Sequence, residues 1–176
     1  MMTPAQRQLV FDLVITAPSG RSKISKEEFV RRFPDAIGSG GLSVELLEQA
    51  VREKNAADVA CALTIGFTFG FSKDHEATLC RLAYEDWHSS HENVVSALEY
   101  GGYEDEACIE ALYQLAKIVP PYLEFDEARA LAVKAIWALS RIPGRLAQAK
   151  LEELAKSSSP KIRPLAEEKL NRRSSS

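Results

Sequence analysis

Cysteine is scarce in this chain and is never paired. The three cysteines, Cys61, Cys80 and Cys108, stand singly at apolar positions, without the two-residue spacing of a zinc or redox motif. A disulfide framework needs paired cysteines in an oxidising compartment, and a cysteine zinc site needs clustered thiolates. The sequence therefore argues against both and predicts reduced thiols in a core.

Long hydrophobic runs are also missing. The longest, residues 59–71, has 13 residues, whereas a transmembrane helix needs roughly 20. Near the N-terminus, Arg7, Gln8 and Asp12 interrupt the apolar stretch that a secretory signal requires. We therefore expect a cytoplasmic protein in which residues 59–71 form a buried element.

Motifs of catalysis and of phosphate binding are lacking as well. There is no GxSxG nucleophile motif, and the glycine-rich stretch 38–41 does not follow a strand, as a phosphate-binding loop would. The chain has 176 residues, 45% hydrophobic and 27% charged, which is ordinary for one folded domain. The sequence predicts no catalytic residue, no cofactor and no metal.

Basic residues are almost missing from the middle of the chain. Residues 74–127 contain 13 of the 25 acidic residues and only two basic ones, Arg81 and Lys117, which gives this acidic segment a charge of −11. Residues 128–176 carry 11 basic and four acidic residues, a charge of +7, and the net charge is −3. Carboxylates at helix starts explain some of the acids. The rest form a field that attracts and orients a basic partner.

Apolar residues recur at helical spacing through the second half of the chain. Two stripes, residues 108–118 and 128–142, end at prolines, and shorter ones follow in residues 151–155 and 162–170. Each predicts a short amphipathic helix.

In the first half, Ser25 and Ser43 stand where helix N-caps are expected, and Ser25 is followed by Glu28 at the spacing of a capping box. Residues 63–71 alternate as a strand would, but the chain offers no partner strand. We therefore expect a buried helix that unwinds near Gly70.

An internal repeat predicts the architecture. Residues 110–118 and 134–142 align without gaps at an offset of 24, which matches Tyr113 with Trp137. Helices that cannot bury their apolar faces alone stack on their neighbours. The predicted fold is all-α, a HEAT-like α-solenoid or compact right-handed superhelix of short antiparallel helices.

Three regions are predicted along the chain. Residues 1–44 form an N-terminal helical cap with a flexible glycine-rich linker at 38–41, residues 45–172 form the repeat domain, and residues 173–176 form a flexible polar tail.

Two His-Glu steps, residues 75–76 and 91–92, raise the possibility of a carboxylate–histidine metal site. Such a site needs roughly four pairs converging from several helices, and this chain adds only His88. Glu92 also lies three residues after Ser89, the spacing of a capping box. A structural or interface role for the histidines is favoured, with a metal-dependent helical-repeat enzyme as the weaker alternative.

The basic C-terminal third suggests nucleic-acid binding, since helical repeats can bind DNA along a basic groove. The neighbouring acidic segment repels phosphates over the same length scale, which argues against it. We expect no nucleic acid and no membrane among the partners.

Aromatic residues interleave with the acids, as in the anchors of protein–protein interfaces. The predicted partner-binding residues are Glu85, Asp86, Trp87, His88, Glu99, Tyr100, Tyr103, Glu104, Asp105, Glu106, Tyr122, Glu124 and Asp126.

Several segments resemble a known family. They are FGF at residues 69–71, LAYEDWHSSHENVVSAL at 82–98, AVKAIWAL at 132–139 and LAKSSSPKIRPLA at 154–166. They are similar to the HEAT-like repeat proteins found in bacteria beside polymorphic toxins, which are thought to act as immunity proteins. The similarity covers about residues 45–173, with the WHxxHE step and the KAIWAL helix as its most specific parts.

The resemblance implies an α-superhelix, a cytosolic antidote role and no enzymatic activity. Together with the charge pattern, it predicts an immunity protein that is monomeric when free. Its acidic surface would neutralise a toxin with a basic cleft, such as a nuclease. The alternative is a general HEAT-repeat scaffold or chaperone that binds several partners less tightly.

Overall fold

The structure, a computed structural model, describes residues 1–15, 23–36 and 43–174. Every regular element within these ranges is a helix, which confirms the all-α prediction. The predicted linker at residues 38–41 lies outside the described residues. The α-helices are α1 (Pro4–Val14), α2 (Lys26–Arg32), α3 (Val44–Arg52), α4 (Ala56–Phe69), α5 (Glu76–Leu82), α6 (His91–Gly101), α7 (Glu106–Leu115), α8 (Arg129–Arg141), α9 (Arg145–Ala155) and α10 (Ile162–Ser174), and short 3-10 helices span Pro34–Ala36, Lys73–His75 and Pro121–Asp126.

Two predictions about apolar segments are confirmed. The ambiguous stretch, residues 63–71, is helical as far as Phe69, and the helix ends at Gly70, whose φ of 112° favours glycine. Cys61, Cys80 and Cys108 are free and buried. In the described part of the chain, no helix has both the length and the apolarity that crossing a bilayer requires.

The chain divides into two compact units, Met1–Thr78 and Leu79–Ser176, with the boundary inside α5. The predicted division into a cap, a repeat domain and a tail stays a prediction. Helix α10 continues to Ser174, into the segment predicted as a flexible tail, and residues 175 and 176 lie outside the described residues.

In the first unit, a buried carboxylate joins α1 to α4. Asp58, 2% exposed, accepts hydrogen bonds from the Met2 backbone N–H (2.9 Å) and from Arg7 Nε (2.6 Å). A buried carboxylate is tolerated only when it is paired and hydrogen-bonded. This contact therefore fixes how α1 packs on α4.

Only one of the three predicted serine caps forms. Ser25 Oγ accepts from the Glu28 N–H at 3.2 Å and begins α2. Ser43 precedes α3 but makes no side-chain cap bond, because its backbone is left-handed at φ 73° and turns the hydroxyl elsewhere. The capping box of Ser89 and Glu92 is wrong. Ser90 is the residue before α6, and its own non-extended backbone leaves the side-chain cap unmade.

In the second unit, each helix packs on near neighbours in the chain. Helix α6 contacts α7 and α8, α7 contacts α8 and α9, α8 contacts α9 and α10, and α9 contacts α10. The buried side chains that fill these contacts include Leu98, Leu112, Leu115, Ile136 and Leu139.

Two ion pairs define the register of α6 and α8. Glu92 pairs with Lys134 at 2.9 Å, and Glu99 pairs with Arg141 at 2.5 Å. Both pairs join residues 42 apart, and the two acids lie two helical turns from each other, as do the two bases. A constant offset requires parallel helices in register, so α6 and α8 lie side by side and point the same way.

The residues matched by the sequence repeat make the same kind of contact. Lys150 on α9 lies 4.4 Å from the ring centre of Tyr113 on α7, and Lys169 on α10 lies 3.1 Å from that of Trp137 on α8. Each ring is covered by a lysine from the helix two further along the chain. The repeat in sequence therefore corresponds to a repeat in packing.

Candidate partner-binding site

The predicted partner-binding residues are divided between the two ends of α6. This helix has 11 residues and is therefore about 16 Å long at 1.5 Å per residue. Its first residue, His91, lines a cleft of about 250 Å³ that we call the His91 cleft; its lining residues are Ala83, Tyr84, Glu85, Asp86, His91, Gln114, Ile118, Val119, Pro120 and Pro121. Its last turn lines a second depression, the Arg141 groove; its lining residues are Leu98, Glu99, Gly102, Tyr103, Glu104, Leu112, Ala138, Arg141 and Ile142.

Two stacked histidines fasten the cleft's loop, residues 83–90, to the core. The rings of His88 and His91 lie 4.3 Å apart, and both side chains are buried. His88 Nδ1 accepts from the Ser90 N–H at 3.0 Å, so Nε2 carries the proton and donates to the Leu82 carbonyl at 2.9 Å.

His91 is bonded in the same way. Its Nε2 donates to the Glu85 carbonyl at 2.9 Å, which leaves Nδ1 to accept from the Tyr122 hydroxyl at 3.2 Å. That hydroxyl in turn accepts from the His91 backbone N–H at 3.1 Å. With both ring nitrogens of both histidines engaged, neither has a lone pair for a metal ion.

Within the described residues, no three His, Cys, Asp or Glu side chains come together as a metal site would require. The Glu of the second His-Glu step, Glu92, pairs with Lys134 instead. The described contacts therefore assign these His-Glu residues to packing and ion pairing.

Burial keeps both imidazoles neutral. Desolvation lowers the pKa of His91 from 6.5 to about 4, helped by the neighbouring His88. Desolvation likewise lowers the pKa of His88, although its bond to the Leu82 carbonyl acts in the opposite sense. His88 is 3% exposed, so it supports the loop from within and presents little surface to a partner.

The rim of the His91 cleft carries acid and aromatic side chains. Glu85 is half-buried and accepts from Trp87 Nε1 at 2.6 Å and from Arg81 Nε at 3.2 Å, so its charge is partly compensated. Asp86 is exposed and has no ion pair in the part of the chain that the structure describes. Beside it, 58% of Tyr84 is exposed. Of the predicted residues here, Asp86 is the most accessible carboxylate.

Two residues predicted to bind a partner, Tyr103 and Asp105, have structural roles at the end of α6 that lines the Arg141 groove. Tyr103 is 5% exposed, because its ring packs over Gly101, where a Cβ would lie 2.4 Å from it. Tyr103 is therefore a core residue that presents little surface to a partner. Asp105 is the N-cap of α7 and accepts from the Cys108 N–H at 3.1 Å. Tyr100, Glu104 and Glu106 are exposed, as a partner surface requires.

Part of the acidic segment is neutralised by the basic end of the chain. Four acids pair with bases from residues 134–161; the pairs are Glu92–Lys134, Glu99–Arg141, Glu110–Lys150 and Glu127–Lys161. Among the exposed acids of residues 79–127, Asp86, Glu104, Glu106 and Glu124 have no ion pair within the described residues. The charge available to a partner is therefore smaller than the sequence predicts and lies on the turns between helices.

The most exposed aromatic side chain of the described residues was missing from the sequence prediction. Phe125, in the 3-10 helix Pro121–Asp126, is 84% exposed between Glu124 and Asp126, both of which were predicted. Val119, on the cleft wall, is 48% exposed. An aromatic residue inside a short acidic turn that follows two prolines, outside any helical stripe, was the signal available in the sequence.

The first unit contains a serine–histidine pair that the sequence did not suggest. Ser43 Oγ lies 3.3 Å from His75 Nε2. His75 Nδ1 accepts from the Ser72 N–H at 3.0 Å, so Nε2 carries a proton and donates it toward the serine oxygen. A general base must instead accept the serine's proton. Both residues are buried, and the pair is a structural hydrogen bond.

Comparison of the chain with protein-family models, with curated proteins and with solved structures gave no match.

Proposed function

We propose that this protein binds a basic protein partner and neutralises it, as an immunity protein does for a toxin that acts in the cytosol, and that it does so without chemistry of its own. The partner would contact the end of the second unit that holds the His91 cleft. The observation that carries the proposal is the surface formed by this cleft and by the 3-10 helix that begins at Pro121 on its wall. Asp86 lies near exposed Tyr84, Glu124 precedes exposed Phe125, and neither carboxylate has an ion pair within the described residues.

Charge and apolar area contribute differently to such binding. Uncompensated carboxylates raise the rate of encounter with a cationic surface, and aromatic anchors supply most of the binding free energy after encounter. A toxin that acts on nucleic acid needs a basic cleft to bind phosphate. A protein that covers such a cleft presents the same charge as the substrate and blocks access.

The fold that we propose for this role is a HEAT-like right-handed superhelix in the cytoplasm. In support, each helix from α6 to α8 contacts the next one and the next but one, and α6 and α8 are parallel and in register. Stacked repeats of this kind expose turns at both ends of the helices, where they are available to a partner.

A matched pair of charge reversals tests the proposal in cells that express the toxin candidate encoded by the adjacent gene. We expect Asp86→Lys/Glu124→Lys, at the cleft end of α6, to abolish protection. Glu104→Lys/Glu106→Lys makes the same change of charge at the opposite end and should leave protection intact. Asp105 is left unchanged, because removing a helix N-cap costs about 1 kcal/mol of stability.

Circular dichroism melts would verify that both variants fold. Protection that survives the reversal at Asp86 and Glu124 contradicts the cleft as the binding site, and a wild-type protein that never protects contradicts the antidote role. A pull-down that recovers many partners at micromolar affinity, rather than one at nanomolar affinity, would favour the scaffold alternative.

A further inference from the structure

We propose that the 3-10 turn Pro121–Asp126 is a preformed anchor whose Phe125 ring enters an apolar socket, rimmed by Lys and Arg, on the partner protein. This inference rests on the proposed function and names the part of the partner that the turn recognises.

The exposure of Phe125 is the first observation. A phenylalanine buries 150–250 Å² of surface when it is enclosed, and this ring is 84% exposed in the free protein. Among the described residues, no other large apolar side chain is more exposed. Almost the whole ring is thus available for burial against a partner.

The backbone of the turn is held on both sides of the ring. Pro120 and Pro121 restrict φ before it, and the buried side chains of Leu123 and Ala128 anchor it to the core. The Ala128 N–H donates to the Leu123 carbonyl at 2.9 Å and closes the turn around Phe125.

Contacts with His91 and with Lys161, both outside the turn, also hold it in place. The Tyr122 hydroxyl is bonded to the backbone N–H and to Nδ1 of His91 at the start of α6. Lys161 donates to the Asp126 carbonyl at 3.2 Å and pairs with the Glu127 carboxylate. A ring on a braced turn loses little conformational entropy when it binds, which raises affinity.

The turn also keeps features that are unfavourable for stability. Glu127 and Ala128 both have a φ of 53°, a left-handed conformation that disfavours residues other than glycine. Oδ1 of Asp126 is shielded from solvent and has no hydrogen-bond partner in the described part of the chain. Such costs cluster at sites where function requires a particular backbone. Here they coincide with the most exposed aromatic ring.

The charge around the ring identifies the kind of partner. Glu124, Asp126 and Glu127 flank Phe125, and within the described residues only Glu127 of these has an ion pair, with Lys161. An apolar socket rimmed by Lys and Arg complements an aromatic ring among carboxylates. A socket with an acidic rim would be repelled.

The test measures the affinity of purified wild-type and variant proteins for the product of the adjacent gene. Phe125→Ala should weaken binding at least 30-fold, in the range of truncated interface anchors, without lowering Tm, because the ring makes little contact in the free protein. Phe11→Ala on α1 is the control, since Phe11 is also at least half exposed. It should bind as the wild type does.

A photo-crosslinking phenylalanine analogue at position 125 then identifies the socket, and we expect adducts on apolar residues next to Lys or Arg. Unchanged affinity of Phe125→Ala, or adducts in an acidic patch, would overturn the anchor while the proposed function stands. A fall in Tm of several degrees in Phe125→Ala would assign the ring to stability and overturn the anchor even without a partner. If the wild type does not bind the adjacent gene's product, the proposed function fails first.

Discussion

At the scale of single residues, the same histidine can belong to a site or to the core, and its hydrogen bonds decide between them. His91 precedes Glu92 in the sequence and His88 lies three residues earlier, which suggested either metal ligands or contact residues. In the fold, each donates from Nε2 to a backbone carbonyl and accepts at Nδ1. They hold the loop that carries Asp86, and so they position the site while presenting little surface to a partner themselves.

The buried His91 predicts a loss of stability in mild acid. Its pKa is about 4 in the folded protein and about 6.5 in an unfolded chain. The stability that neutral His91 contributes to the folded protein is therefore complete above pH 6.5 and is lost as the pH falls toward 4. From these two pKa values, the free energy of unfolding should fall by about 2 kcal/mol between pH 7 and pH 5 because of this residue.

Urea unfolding across this pH range measures the loss. His91→Gln should be less stable at pH 7 but should depend less steeply on pH than the wild type. Equal slopes for the two proteins would assign the acid sensitivity to other groups.

Glu127 offers a test of the strained turn. Glu127→Gly and Glu127→Ala both remove the ion pair with Lys161, but only glycine adopts the φ of 53° without penalty. We expect the glycine variant to be more stable than the alanine variant by about 1 kcal/mol. The measurement is the free energy of unfolding in urea, and equal stabilities would contradict a left-handed residue at this position.

At the scale of elements, helix positions follow from apolar periodicity and helix breakers, while helix caps depend on backbone angles. The stripes at residues 108–118 and 128–142 correspond to α7 and α8 within a few residues. The predicted caps at Ser43 and Ser89 failed, because spacing in the sequence does not determine φ and ψ at the cap. The pairing of α6 with α8 was also unpredicted, since it joins residues 42 apart.

A double-mutant cycle tests the parallel register of α6 and α8. Glu99→Arg and Arg141→Glu should each destabilise the protein by about 1 kcal/mol through like-charge contact, and the swapped double variant should recover most of the loss. Glu106→Arg is the control, because Glu106 has no ion pair within the described residues and Arg141→Glu should not rescue it. Purely additive effects of the swap, measured by urea unfolding, would contradict the register.

At the scale of the whole molecule, folding reduces the separation of charge along the chain, because four of the 13 acids of the acidic segment pair with bases from the C-terminal third. The acidic segment and the basic C-terminal third meet as ion pairs between stacked helices, from Glu92–Lys134 to Glu127–Lys161. Of the acids in residues 79–127 that have no ion pair within the described residues, Asp86 lies near the start of α6 and Glu104 near its end. One predicted docking surface thus becomes two distinct places, and an exposed aromatic ring accompanies the carboxylates at both, Tyr84 near Asp86 and Tyr100 near Glu104.

The sequence by itself determined the helical class, the approximate helices of the second half and the buried thiols, because these depend on local periodicity, breakers and side-chain polarity. Only the tertiary structure decided which acids remain unpaired, that Tyr103 and His88 are core residues, and that Phe125 is exposed. Those outcomes depend on contacts between residues far apart in the chain. No local pattern encodes which helix face meets which.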